Sequence, residues 1–160
     1  MIRTILVATD GSDHAKKALT LASDLGAKYG AKLILLHVPL FNVGSETLHA
    51  VATRSGLPKK LRDLLDNYEI DFQLGVAATG MGAAIGAGFA PPPRELVAAI
   101  GQQIIARAEK ITSKAGVKKV TSMITEGDPA DVILNTAVNC KADMIILGSR
   151  GLSDFKGLLF

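Results

Sequence analysis

The 160-residue chain is long enough for one domain with a single hydrophobic core. Because 48% of its residues are hydrophobic and only 4% are aromatic, aliphatic side chains must build that core. The formal net charge of +3 is modest and no run of Lys and Arg stands out, which argues against a nucleic-acid or membrane-surface partner. Cys140 is the single cysteine, so an intrachain disulfide and a cysteine-rich metal site are excluded.

The N-terminal part of the chain has the pattern of a strand, a helix and a second strand. A short apolar run at 5–8 ends in the polar stretch 9–12 (TDGS), as expected for a strand buried on both faces of a parallel sheet. Apolar residues then recur at helical spacing, with Ser12 placed to cap the helix and Gly30 placed to end it. A second apolar run at 32–38 completes a βαβ unit, whose crossover should be right-handed.

The second half of the chain repeats this logic. A long amphipathic helix is expected between residues 93 and 116, followed by a third strand at 119–125. Asp128 and Pro129 mark a helix start, because Asp can act as the N-cap and Pro suits the first helical position. A fourth strand is expected at 142–147. The buried face of the helix before it is predicted to consist of Ile133, Leu134, Ala137 and Val138.

The segment between the two halves is less regular. Leucines at helical spacing over 57–68 predict a further helix, whereas residues 72–93 carry no charge and contain five glycines and three prolines. That composition suits a transmembrane helix poorly. Residues 80–86 imitate a dinucleotide-binding fingerprint, but the third glycine is displaced by one place and the following sequence is not helical. We therefore expect a flexible Gly/Ala/Pro-rich loop or lid around 72–93, within a single domain over 1–160.

Two predicted strand ends carry residues suited to ligand binding. In an open parallel sheet, ligands bind beyond the carboxyl ends of the strands, where the connections diverge to opposite faces. Asp10 follows the first strand, where it could accept hydrogen bonds from ribose hydroxyls or help to hold a divalent cation; alternatively, it caps the next helix. The turn Gly148-Ser149-Arg150-Gly151 follows the fourth strand, and its glycines would let the backbone approach a phosphate. The same four residues also suit a plain tight turn.

Four stretches of the chain, taken in order, resemble landmarks of the universal stress protein (UspA-like) family. They are residues 5–12 (ILVATDGS), 36–38 (LHV), 126–130 (EGDPA) and 147–151 (LGSRG), which together span nearly the whole chain. The resemblance implies an α/β fold with an open, twisted parallel sheet of strand order 3-2-1-4-5 and helices on both faces. It also implies an adenine nucleotide held between strands 1 and 4.

The resemblance further implies which residues form the nucleotide site. The ligand would be ATP, or AMP or ADP, accompanied by Mg²⁺. Asp10 would face the ribose and, indirectly, the metal, while Val38 would meet the adenine. Ala8 and Thr9 would line the floor of the site. The base edge, the ribose and the phosphates would be bound by Leu147, Gly148, Ser149, Arg150 and Gly151.

The phosphate motif departs from the family pattern. ATP-binding members carry G-x2-G-x9-G-(S/T) after the fourth strand, and Gly148 and Gly151 match its first two glycines. Nine further residues reach Phe160, where the sequence stops, so the third glycine is not in it. We therefore expect a C-terminally shortened member that lacks the fifth strand and keeps mainly the adenosine half of the site. Its fourth strand would then form an apolar sheet edge, which favours homo-oligomers.

Other candidate chemistry is sparse. His14, His37 and His49 show no metal-ligand spacing, and His37 is expected to be a hydrogen-bonded structural histidine inside the second strand. The sequence has no G-x-S-x-G elbow and no P-loop lysine motif. We expect an ATP-binding protein of stress response or regulation that is at most a slow ATPase.

Two other classes of function stay open. One is a regulatory module of the same fold that does not bind ATP and acts through protein contacts, for example with a transporter. The other, an ATP-using enzyme, would need acid–base residues that the middle region does not offer. Neither a nucleic-acid partner nor a membrane span is expected. Because the first strand follows Met1 almost at once, we expect no signal peptide and a cytoplasmic protein.

Overall fold

The computed structural model describes residues 2–39, 41, 58–78 and 92–149, with the side chains of 69–78 left out of that description. The strands in these ranges are β1 (Thr4–Ala8), β2 (Lys32–His37), β3 (Val120–Ile124) and β4 (Met144–Ile146). The helices are α1 (Asp13–Tyr29), α2 (Lys59–Ala78), α3 (Arg94–Lys114) and α4 (Pro129–Asn139).

The strands form one parallel sheet in the order β3-β2-β1-β4. In β1, Ile5 pairs with Leu33 of β2 on one side and with Met144 of β4 on the other. Ile5, Leu6 and Val7 are fully buried, as a central parallel strand requires. The chain leaves β1 toward β2 and only later returns to β1's other side as β4. The switch point between β1 and β4, where α/β proteins bind ligands, is therefore present as predicted.

Local signals at both ends define α1. The Ser12 hydroxyl oxygen accepts a hydrogen bond from the backbone N–H of Ala15 at 3.1 Å, which is the capping interaction predicted for this residue. Gly30 ends the helix in the left-handed conformation with φ of 64°, and its N–H donates to the carbonyl of Gly26. Both helix boundaries predicted from the sequence are confirmed.

Helices cover both faces of the sheet. Side chains of β1 and β2 that point to one face pack with α1 and α3; this cluster includes Ile5, Val7, Leu33, Leu35, Leu19, Ala22, Ile105 and Ala108. The alternate side chains pack with α4; this cluster includes Leu6, Ile34, Leu36, Val38, Val132, Ile133 and Ala137. The α/β fold class with helices on both faces is thus confirmed, in a sheet of four strands among the described residues.

The predicted buried face of α4 is wrong at two of its four residues. Ile133 and Ala137 pack against the sheet, but Leu134 is 58% exposed and Val138 is 76% exposed. The helix is turned so that Val132 and the buried Thr136 take the inward positions instead. Apolar residues occupy more of this helix than one sheet face can cover, so spacing alone does not reveal which side faces the sheet.

Two further boundaries differ from the sequence prediction. α2 continues to Ala78, so the backbone of residues 72–78 is helical where we expected the start of a loop. A single glycine, Gly75, interrupts good helix formers there at a cost of about 1 kcal/mol, which a long helix tolerates. β4 covers only Met144–Ile146 of the predicted 142–147. Residues 79–91 of the predicted loop lie outside the described residues.

Contacts within the chain define two compact units, and whether they form the single domain predicted from the sequence stays a prediction. The first unit, residues 1–39 and 101–160, contains the sheet, α1, α4 and most of α3. In the second unit, residues 40–100, the Arg94 guanidinium lies 5.3 Å from the centre of the Phe41 ring. In the part of the chain that the structure describes, none of the helices has the length and apolar character needed to cross a bilayer.

Asp143 ties the start of β1 to the start of β4. Its Oδ2 accepts the backbone N–H groups of Arg3 at 2.8 Å and Thr4 at 2.9 Å, and its own N–H donates to the carbonyl of Thr4. The two N–H groups lower the pKa of the Asp143 carboxyl below its ordinary value. These bonds set the register of the two strands whose far ends form the site.

We expect Asp143→Ala to lower the free energy of unfolding at neutral pH. A carboxyl whose pKa is lower in the folded than in the unfolded state stabilises the fold above the unfolded-state pKa. Its contribution is lost as the pH falls through the folded-state pKa, so the difference between wild type and variant should shrink in acid. Urea unfolding at neutral and acidic pH measures this difference. Asp24→Ala, at an exposed position of α1, is the control. An equal deficit at both pH values would contradict the role of the charge.

Candidate functional site

The candidate site lies where the carboxyl ends of β1, β2 and β4 meet. Beyond Ala8, the chain of β1 continues into Thr9 and Asp10, while β2 is followed by Val38. The end of β4 lies beside the end of β1, because Ile146 pairs with Val7. The predicted residues after these strands are therefore brought to one edge of the sheet.

Hydrogen bonds within the turn after β1 hold Asp10 at the strand end. The N–H of Thr9 donates to the carbonyl of Leu36 at 2.8 Å, which extends the pairing with β2 by one step. The N–H of Gly11 donates to the Thr9 hydroxyl oxygen at 3.3 Å, and the N–H of Ser12 donates to Oδ1 of Asp10 at 2.9 Å. Ser12, and not Asp10, caps α1, so Asp10 braces the turn and stands half-buried at the strand end.

Both the backbone conformation at position 11 and the close packing around it require a glycine. Its φ of +80° is in the left-handed region that side chains disfavour. A Cβ atom at Gly11 would also lie 3.0 Å from Cγ1 of Ile104 on α3. The turn after β1 therefore lies directly against α3.

Gly148 brings the loop after β4 onto the first turn of α1. A Cβ atom at this position would lie 2.8 Å from the backbone N of Ala15 and 2.9 Å from the carbonyl carbon of His14. Both neighbours are main chain, which cannot move aside as a side chain could. Only glycine permits this approach. The loop after β4 therefore contacts the first turn of α1, the helix that begins directly after the Asp10 turn.

The other predicted site residues differ in how much surface they present. Thr9 is buried, Ala8 is half-buried, and Val38 is 9% exposed because it packs in the cluster that α4 covers. Leu147 and Ser149 are exposed. The two remaining predicted residues, Arg150 and Gly151, lie outside the described residues.

His37 links the ends of β2 and β1 through its side chain. It is only 6% exposed, and its Nδ1 lies 2.8 Å from the carbonyl oxygen of Thr9. Because a carbonyl oxygen can only accept, Nδ1 carries the proton and donates it. The expected hydrogen-bonded structural histidine is confirmed, but its partner, one residue before Asp10, could not be seen in the sequence. The only sequence signal was the position of His37 at the end of an apolar strand.

Burial dominates the electrostatics of His37. It lowers the pKa of the imidazole below its ordinary value, against the opposing effects of the Thr9 carbonyl and the Asp10 charge. The ring is therefore neutral near neutral pH. Among the described residues, no three His, Cys, Asp or Glu side chains come together as a metal-ligand group. The indirect contact of Asp10 with a metal stays a prediction.

The buried neutral histidine predicts a pH dependence of folding. The unfolded chain protonates His37 near pH 6.5, whereas the folded protein resists protonation. The unfolded state thus binds more protons as the pH falls below this value, so the free energy of unfolding should decrease until the folded-state pKa is passed. Urea unfolding of wild type and His37→Asn between about pH 7 and about pH 5 isolates this effect. Parallel pH profiles of the two proteins would contradict the assignment of a neutral imidazole.

Comparisons with known proteins agree with this architecture. The sequence model of the universal stress protein family matches residues 1–69 and 74–160. Universal stress protein YxiE of Bacillus subtilis is 31% identical over 159 residues, which cover 99% of this chain and 86% of that protein. The solved structure of universal stress protein UspA from Lactobacillus plantarum has a TM-score of 0.60 at 18% identity, covering 99% of this chain and 83% of that one.

A second solved structure, a universal stress protein in complex with cAMP, has a TM-score of 0.50 at 19% identity and covers 90% of this chain and 70% of that one. At such identities the structural likeness supports the fold alone. The family match is different in kind, because it extends over nearly all of the sequence. On that match and on the fold described above, the chain belongs to the universal stress protein family.

Proposed function

We propose that this chain binds an adenine nucleotide, with ATP and its Mg²⁺ as the main ligand, at the carboxyl ends of β1 and β4, and that occupancy regulates its partners in a stress response. The observation that carries the proposal is the contact between Gly148 and the first turn of α1, beside the turn that fixes Asp10. The contact lies at the switch point of the sheet, which is where open α/β proteins bind their ligands. A nucleotide, cAMP, is bound by one structurally similar universal stress protein.

The chemistry of the described residues fits a nucleoside. A carboxylate held at a strand end is suited to accept hydrogen bonds from both ribose hydroxyls, which is the role we assign to Asp10. Exposed Leu147 offers an apolar surface for the base, and we assign Ala8 and Val38 to the same part of the site. Ser149 adds a hydroxyl and a main-chain N–H beside the glycine that contacts α1. We assign the phosphates to Arg150 and Gly151, which lie outside the described residues.

The proposal is one of binding with at most slow hydrolysis. A general base for ATP hydrolysis must reach the attacking water and accept its proton. His37, the imidazole beside Asp10, is almost completely buried, and its Nδ1 proton is engaged by Thr9. It is therefore poorly placed to serve as that base.

Asp10→Ala should weaken binding of ATP and AMP by about ten- to a hundredfold, because hydrogen bonds to a charged group are worth about 1.5–3 kcal/mol. Equilibrium titration with labelled ATP and labelled AMP measures both affinities. Asp10→Asn keeps an oxygen for the N–H of Ser12, so it should preserve the turn while losing the charge. It should bind with intermediate affinity.

The matched control for charge is Asp13→Asn, at an exposed acidic residue in the first turn of α1. It should bind both nucleotides as the wild type does. If the wild type binds neither nucleotide, the proposed function is wrong, and regulation through protein contacts takes its place. Unchanged affinity with reduced stability in Asp10→Ala would make this residue a purely structural brace. Equal affinities for ATP and AMP would show that the adenosine half of the site supplies most of the binding.

We also propose that the chain forms homo-oligomers through the β4 side of the sheet. β4 is the outer strand among those described, and its Ile145 is 37% exposed while the neighbouring Leu147 is half exposed. The exposed Leu134 and Val138 of α4 add to the apolar surface of this part of the chain. An apolar strand edge invites pairing with another strand.

Ile145→Lys should reduce self-association, because a lysine on an edge strand opposes pairing with a second chain. Sedimentation velocity at several protein concentrations measures the effect. Leu21→Lys, which replaces an exposed leucine of α1, is the control and should associate as the wild type does. A wild-type protein that sediments as a monomer at all concentrations would refute this proposal without touching nucleotide binding.

A further inference from the structure

We propose that His37 is a positioning residue of the nucleotide site, which sets the place of the Asp10 carboxylate by holding the carbonyl group of Thr9. This inference rests on the proposed function, because the effect of the positioning is read through the bound nucleotide. It goes beyond that function, because the Nδ1 proton of His37 is engaged by the Thr9 carbonyl and His37 is not among the residues assigned to contact the ligand.

Both polar main-chain groups of Thr9 form hydrogen bonds with residues of β2. Its N–H donates to the carbonyl of Leu36 at 2.8 Å, and its carbonyl accepts from Nδ1 of His37 at 2.8 Å. Thr9 lies one residue beyond the end of β1, where the strand pairing stops. Its carbonyl belongs to the same planar peptide unit as the nitrogen of Asp10. Fixing that carbonyl therefore fixes the peptide plane from which the Asp10 residue starts.

The backbone of α3 is shaped to admit the imidazole. A Cβ atom at Gly101 would lie 3.0 Å from Cδ2 and 3.3 Å from Nε2 of His37, so a larger residue would push the ring away from Thr9. Gly101 lies inside α3, where glycine lowers helix stability relative to alanine. The space that it provides for His37 accounts for that cost.

The same helix also supports the other end of the turn. One helical turn after Gly101, Ile104 contacts Gly11, where a Cβ atom would lie 3.0 Å from its side chain. α3 therefore backs the Asp10 turn at two points, through His37 on one side and directly through Ile104 on the other. Asp10 lies between them, and its Oδ1 is held by the N–H of Ser12.

The first experiment separates the hydrogen bond from the volume of the side chain. The amide nitrogen of Asn can take the place of Nδ1 and donate to the Thr9 carbonyl, whereas Leu fills a similar volume without a donor. We expect His37→Leu to lower ATP and AMP affinity about tenfold, because a displaced Asp10 carboxylate would lose about one hydrogen bond to the ligand. His37→Asn should stay within about threefold of the wild type. Affinities are compared per folded molecule, with the folded fraction checked by circular dichroism.

A double-mutant cycle tests whether His37 acts through Asp10. If His37 positions this carboxylate, then Asp10→Ala should cost much less affinity in the His37→Leu background than in the wild type. A histidine that only stabilises the fold would lower the unfolding midpoint and leave the two affinity losses additive. Additive losses, or equal affinity of the Leu and Asn variants, would overturn the inference.

Gly101→Ala tests the same geometry from the side of α3. Its added methyl group should displace the imidazole and lower nucleotide affinity several-fold, and His37→Asn should relieve the crowding and restore affinity. Gly26→Ala is the matched control. It also lies inside a helix and would place a Cβ atom 3.2 Å from a side chain, that of Leu33, but this contact is in the core away from the site.

The outcomes distinguish this inference from the proposed function. A wild-type protein that binds neither ATP nor AMP would overturn both. A wild-type protein that binds, together with a Gly101→Ala variant that binds equally well, would overturn the positioning role of His37 and leave nucleotide binding in place. Loss of affinity in Gly101→Ala but not in Gly26→Ala, with recovery in the double variant carrying His37→Asn, is the result that we expect.

Discussion

The absence of a side chain at Gly148 is the constraint on which the site's geometry depends. Any Cβ atom there would overlap the backbone of α1 at Ala15, so no rotamer change could make room for it. This contact holds the loop after β4 against the start of α1, while pairing of β1 with β4 holds the strands that lead into both. The burial of β1 and the capping of α1 by Ser12 then fix the other half of the site. A ligand that contacts both the Asp10 turn and Gly148 would thus bind to backbone whose position is already fixed in the unliganded protein.

Much of this arrangement could be predicted, because its signals are local in the sequence. The burial of β1, the Ser12 and Gly30 boundaries of α1 and the Asp128 cap of α4 each depend on a few neighbouring residues. The placement of the chain after β1 and the chain after β4 at one edge of the sheet followed from a rule about parallel sheets, not from any contact visible in the sequence. The resemblance to a family added the strand order, which the observed sheet matches over four strands.

What could not be predicted depends on how elements turn toward one another. α4 has apolar residues on more than one side, and only packing decides that Ile133 faces inward and Val138 outward. The bond between His37 and Thr9 joins the end of β2 to the residue just after β1, 28 positions away, and the register of these strands is known only in the folded sheet. The close fit of Gly101 to the same imidazole is likewise a property of helix placement. A sequence pattern reports which side chains are apolar, but not which of two candidate surfaces they cover.

These long-range contacts also explain why polar groups are placed in a core that aliphatic side chains could fill alone. A buried imidazole incurs a desolvation cost, and a glycine inside α3 lowers helix stability, so each needs a compensating interaction. Both are accounted for if the carbonyl of Thr9 needs a donor beyond the end of β1. An aliphatic residue at position 37 would pack as well but would leave that carbonyl without its buried partner, at a cost of about 1–3 kcal/mol. His37 and Gly101 therefore act as one unit. Gly101 of α3 makes space for the imidazole, and the Nδ1–H of His37, at the end of β2, fixes the Thr9 carbonyl next to Asp10.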